Sequence, residues 1–125
     1  MGEHYLHVAD DVESEGRIIP SALVEPGCRI GRDARVGGRA VLERGVAVGE
    51  GTVVEGSVVL QGSEIGAHCV LRGCIVGAGV RIADHCTIEG LAVLGEGVTL
   101  GSDNVLGFGA RVFPGVSLPD GAIRF

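Results

Sequence analysis

The chain has 125 residues, 23 of them glycine, with no Trp, three Phe and one Tyr, yet 46% of it is hydrophobic, mostly Val, Ile, Leu and Ala. That length fits one domain with a core of small aliphatic side chains, and so much apolar surface is incompatible with a disordered chain. Ten bases, all arginine, against sixteen acids give a net charge of −6 with no basic patch, which counts against nucleic acid or an anionic membrane as partner.

The first segment, residues 1–17, reads as an acidic lead-in or linker. Its first sixteen positions hold five acids and no Arg, and they lack the charged and apolar regions of a signal peptide. His4 and His7, spaced H-x-x-H, are read here as part of a mobile tail. No later run approaches the roughly 18 apolar residues of a membrane span, so a cytoplasmic protein is expected. Cys28, Cys69, Cys74 and Cys86 form no CxxC pair and are expected as reduced thiols.

From Ile18 the chain divides into sixes: IIPSAL, VEPGCR, IGRDAR, VGGRAV, LERGVA, VGEGTV. After the five-residue unit VEGSV come VLQGSE and IGAHCV; after a second short unit, LRGCI, the sixes run from VGAGVR to LPDGAI. All eighteen first positions, Ile18 to Leu118, are Val, Ile or Leu. A fixed short period is the mark of a stacked repeat architecture. The fourth position is Gly at 27, 45, 51, 62, 79, 97, 109, 115 and 121, or a residue tolerant of the left-handed region, such as Asp33, His68, His85 or Asp103. These positions predict corners, and the small fifth positions predict a narrow interior.

The pattern resembles the hexapeptide-repeat family. That resemblance implies an all-β fold: a single-stranded left-handed parallel β-helix of about six triangular coils, spanning 18–125. With three units per coil, the short units beginning at Val54 and Leu71 lie on the same side one circuit apart. A coil containing one short unit closes after seventeen residues, which predicts that Ile65 lies over Ile82 and His68 over His85.

Up that side, His68, His85 and Asp103 form an outward corner column. Their residue types suit zinc, but parallel side chains on a stack do not converge on a tetrahedron, so no metal site is expected. γ-Class carbonic anhydrases share the resemblance to this helix, but their HxxxxH pair and third histidine are missing from the coils. Acyltransferases of the hexapeptide family carry a loop that builds an acceptor and coenzyme A cleft, whereas every unit here is five or six residues long. No catalytic residue and no cofactor are therefore assigned. Cys69 and Cys86 read as inward small groups, and Asn104 as a buried amide in need of partners.

The sixth position on the histidine side gives Arg35, then Val53, Val70, Thr87, Val105 and Ile123, beside Gly31, Gly49, Gly66, Ala83 and Gly101. This flat aliphatic strip is the candidate subunit interface. Another side, Arg29, Ala47, Glu64, Arg81, Thr99 and Ser117, has a solvated character. The expected partner is a second copy of the chain, as a trimer or a face-to-face dimer. Phe108, Phe113 and Phe125 are expected to close the apolar interior at one end.

The run GFGARVFPGVSLPDGAIRF, with GRIIPSALVEPGCRIG and VEGSVVLQGSEIG, resembles the C-terminal β-helix of bacterial sugar-nucleotide pyrophosphorylases, of the mannose-1-phosphate guanylyltransferase and glucose-1-phosphate nucleotidyltransferase type. The resemblance implies a scaffold, oligomerisation or regulatory domain of an enzyme making NDP-sugars, without its nucleotide-binding catalytic part. The alternative is a stand-alone acyltransferase or metal-binding protein.

Overall fold

The structure is a computed structural model that describes residues 6–9 and 11–124; His4 and Phe125 lie outside the described residues. It is all-β. Strands of two or three residues recur along the chain and fall in strict rotation into three parallel sheets, the walls of a triangular left-handed β-helix of about six coils. The first wall includes Leu6–Val8, Ala22–Val24, Ala40–Leu42, Val58–Val59, Ile75–Val76, Val93–Leu94 and Arg111–Val112. The second runs from Glu13–Ser14 to Ser117–Leu118, and the third from Arg17–Ile18 to Val105–Leu106.

The aliphatic phase places the first position of every unit inward. From Val24 to Val112 all these residues are buried, stacked in three columns that fill the prism, while Ile18 and Leu118 at the two ends are half-buried. Full burial of one such side chain stabilises the fold by about 1.5–3 kcal/mol, so the three columns dominate the energetics. The seventeen-residue interval holds: Ile65 pairs with Ile82 and Glu64 with Arg81.

Each six-residue corner is a tight turn. In several corners the N–H of the fifth position returns to the carbonyl of the second, as from Ala34 to Gly31 (3.2 Å) and from Thr52 to Gly49 (3.3 Å), whereas the Cys69 and Val80 N–H groups bond the Thr52 and Ser63 hydroxyls of the preceding coil instead. From Gly27 onward the fourth position of every six-residue unit takes a positive φ, as at the third residue of a type II turn. All the glycines predicted there adopt it, as do Asp33 (60°), His68 (55°), His85 (62°) and Asp103 (62°). Arg39, Leu91 and Phe108 share the left-handed region, at 72°, 65° and 51°. The two short units each retain one left-handed glycine, Gly56 and Gly73, and the Gly73 N–H bonds the Glu55 carbonyl (3.1 Å), so the shortened corners stack.

Two ends differ from the sequence reading. His7, read as tail, lies in a strand and pairs with Leu23, because the segment below Ile18 contributes backbone to all three sheets despite lacking the aliphatic phase. Phe108 and Phe113 do not close the interior: they stand 97% and 74% exposed, since both occupy outward corner positions. Leu118, Ile123 and Ala110 pack against the core there instead.

Candidate functional site

Inside the prism, the fifth-position side chains follow one rule. Thr52 Oγ1 donates to the carbonyl of Gly66 in the next coil (2.6 Å) and accepts the Cys69 N–H (3.0 Å). Ser63 does the same with Gly77 and Val80, at 2.7 and 3.1 Å. Cys28, Cys69 and Cys86 donate their thiols to Glu43, Ala83 and Gly101, each at 3.1 Å. Asn104 satisfies its amide by donating to Gly101 and Pro119 and accepting from the Ile123 N–H (2.7 Å). These polar groups tie one coil to the next, a role the sequence reading missed for the cysteines. All four thiols are free and buried. Burial raises the pKa of Cys28 and Cys74, and a hydrogen bond with Cys86, together with burial, raises that of Cys69. Cys86 is the exception in direction, since its hydrogen bond with Cys69 lowers its pKa to about 7, but it is buried between coils like the others and lacks the exposure of a nucleophile.

The histidine column forms as predicted and stays outside. The rings of His68 and His85 stack with centroids 5.5 Å apart and planes 22° apart. His68 Nε2 is 4.0 Å from Glu50 Oε2, and the ring covers Gly51, where an added Cβ would meet Nδ1 at 2.5 Å. Among the described residues no three His, Cys, Asp or Glu side chains gather as a metal site, so His68, His85 and Asp103 do not converge.

The outer surfaces of the walls differ sharply. The second wall carries an open groove of about 940 Å3 floored by Gly31, Gly49, Gly66 and Ala83. At Gly49 an added Cβ would come 2.5 Å from the Gly66 backbone, so the groove's depth follows from close stacking of coils. Four of its charges are paired internally, with Arg81 and Glu64 in contact at 2.8 Å and Arg29 and Glu13 at 4.0 Å. Among the described residues no buried polar side-chain atom lacks a partner.

The candidate interface column lies on the third wall, where Val53, Val70, Thr87 and Val105 stack in register. Two parts of the predicted strip lie elsewhere. Arg124 stands opposite Val105, while Ile123 is half-buried against the core. The small residues Gly31, Gly49, Gly66, Ala83 and Gly101 are across a corner, at the end of the second wall, because two turn residues intervene between second and fifth positions. The third-wall strip is narrow, flanked by the ion pairs Arg72–Glu55 (2.8 Å) and Arg72–Glu89 (3.9 Å).

A longer apolar column went unread. On the first wall Leu23, Val41, Val58, Ile75 and Val93 face outward in register. Its signal was present in the last residues of VGGRAV, VEGSV, LRGCI and IEGLAV. Leu91, 76% exposed, and Phe108 project from the corner between the third and first walls.

An all-β prism of three parallel sheets with a hydrogen-bonded interior defines the chain as a parallel β-helix. The chain belongs to the family described as GMPPB C-terminal domain, whose model matches residues 18–121. No curated protein matches it. Among solved structures it is similar to LpxA, a UDP-N-acetylglucosamine acyltransferase from Bacteroides fragilis, at 14% identity and a TM-score of 0.36; the match covers 90% of this chain and 64% of that one. A second UDP-N-acetylglucosamine acyltransferase matches at 14% identity and a TM-score of 0.34, covering 92% of this chain and 69% of that one. Among the described residues no helix is long and apolar enough to cross a membrane.

Proposed function

We propose that this chain serves as the non-catalytic scaffold and oligomerisation domain of a cytoplasmic sugar-1-phosphate nucleotidyltransferase that makes NDP-sugars. The family match over residues 18–121 carries the reading. The distribution of chemistry supports it. The polar groups inside are engaged between coils, four second-wall charges are paired, and aliphatic columns occupy the first and third walls. In this reading Val53, Val70, Thr87 and Val105 form one of the two outward aliphatic columns available for assembly, the first-wall column being the other, and no cofactor is held.

The test uses the purified chain alone. With nucleoside triphosphate and hexose 1-phosphate it releases no pyrophosphate, with acetyl coenzyme A it releases no free thiol, and in light scattering at micromolar concentration its mass is a multiple of the monomer's. Stoichiometric zinc that is lost in His68→Ala, or coenzyme A release that depends on His68 or His85, would overturn it.

A further inference from the structure

Resting on the assembly reading above, we infer that the first wall is where a second copy of this chain docks, face to face, about a two-fold axis parallel to the strands and centred on Val58. A two-fold interface must be complementary to itself, with each row of one copy meeting the mirror-numbered row of the other.

The first wall meets that condition in two adjacent columns. Counting outward from Val58, the rotation sets Val41 against Ile75 and Leu23 against Val93 of the second copy, while Val58 meets Val58. Each non-central pair joins a larger aliphatic side chain to a smaller one, the arrangement that lets facing layers interdigitate. The next column, stacked in the same order by backbone bonds, runs Glu25, Glu43, Leu60, Gly77, Gly95 and Phe113. Under the same rotation Glu25 meets Gly95, Glu43 meets Gly77, Leu60 meets Leu60, and Phe113 falls over Ala9. Bulk lies opposite bulk only at the central leucine.

Charge selects the same face. The chain carries net charge −6, so two copies repel wherever their charged surfaces meet. The five central rungs of the first wall present no charge in the column centred on Val58, and the Glu25 and Glu43 of the adjacent column face Gly95 and Gly77 rather than another carboxylate, whereas the second-wall column holds Glu13, Arg29, Glu64 and Arg81. At the end of the first-wall column Arg111 pairs in register with Val93 and has no carboxylate partner among the described residues. The rotation sets it opposite His7 of the second copy and one rung from that copy's Glu25, once at each end of the ladder. Glu25 is held in place, since its Oε1 accepts the Arg44 N–H at 3.1 Å.

The area suffices. The chain exposes 6532 Å2 over three walls and two ends, so one wall presents on the order of 1,500 Å2, and covering half of it reaches roughly the 800 Å2 per partner of a stable interface.

Cysteine variants and a bis-maleimide with a span of about 10 Å read the geometry directly, because the native thiols are buried and do not compete. Val58→Cys is expected to cross-link to dimer by itself. Leu23→Cys and Val93→Cys are expected to do so only when mixed, since each stands four rungs, roughly 19 Å, from its own counterpart. Val58→Arg is expected to reduce the mass to monomer with an unchanged circular dichroism spectrum, while Val70→Arg leaves the oligomer intact. If the wild type associates but Val58→Cys does not cross-link and Val70→Arg is the variant that dissociates it, the first wall is not the docking face, although assembly stands. A wild type that remains monomeric to about 100 μM removes the second copy as occupant and the assembly reading with it.

Discussion

The first and second walls share one inward chemistry and have opposite outward chemistry. Val76 and Leu94 on the first are as buried as Ile65 and Ile82 on the second, at 0–3% exposure. Outside, the first wall shows Val58, Ile75 and Val93, while the second shows Glu64, Arg81 and Thr99 in the same coils. The repeat therefore constrains only half of each strand. Because successive strand residues alternate between faces, the outward half is free to vary without disturbing the coil, and a difference between walls reports on what each wall meets.

The largest expected effect tests the shared half. Leu94→Ala and Ile82→Ala, buried on the first and second walls, should each lower stability by about 2–5 kcal/mol in chemical denaturation. A cost confined to one wall would break the equivalence. A smaller effect comes with alkali. The thiols of Cys28, Cys69 and Cys74 are raised above the ordinary value of 9.0 in the folded chain. The unfolded chain therefore loses these protons first, so the contribution of Cys28 and Cys74 is complete below pH 9 and is lost as pH rises beyond it, whereas Cys86, lowered to about 7 by its bond with Cys69, contributes with the opposite sign and loses its share as pH falls through about 7. Melting from pH 7 to 10.5 measures this, and replacing Cys28 and Cys74 with Ser should flatten the decline.

Thr52→Val is expected to cost about 1–3 kcal/mol, because it leaves the buried Cys69 N–H and Gly66 carbonyl without that hydroxyl. Arg81→Ala, on the solvated wall, should change stability by no more than about 0.5 kcal/mol, as its pair with Glu64 is largely exposed. A loss as large as that of Thr52→Val would give the second wall a role beyond solvation.

The inward half was legible in the sequence. The aliphatic first positions, the glycine corners and the two short units placed Ile65 over Ile82 and His68 over His85 without any coordinates. What escaped reading depended on neighbours in space. The strip joined Gly49 and Gly66 to Val53 and Val70, although a corner separates them, because a linear register does not show where one wall ends. The first-wall column was missed for the same reason. The thiol donors were read as apolar fillers, since only stacking reveals that each fifth-position side chain lies beside a second-position carbonyl of the next coil. Leu6–Val8 forms a strand without an aliphatic phase because the Ala22–Val24 backbone supplies its hydrogen-bonding edge. Leu91 and Phe108 adopt a glycine-like φ because the stacked corner dictates the backbone whatever side chain it carries.

The division of labour between a buried half that builds the prism and an outer wall that meets a second copy is tested most directly by solution mass. Light scattering across the micromolar range should show wild type as an oligomer and Val58→Arg as a monomer of the same fold and melting temperature. Equal masses for the two, or a Val58→Arg chain that associates normally, would contradict it.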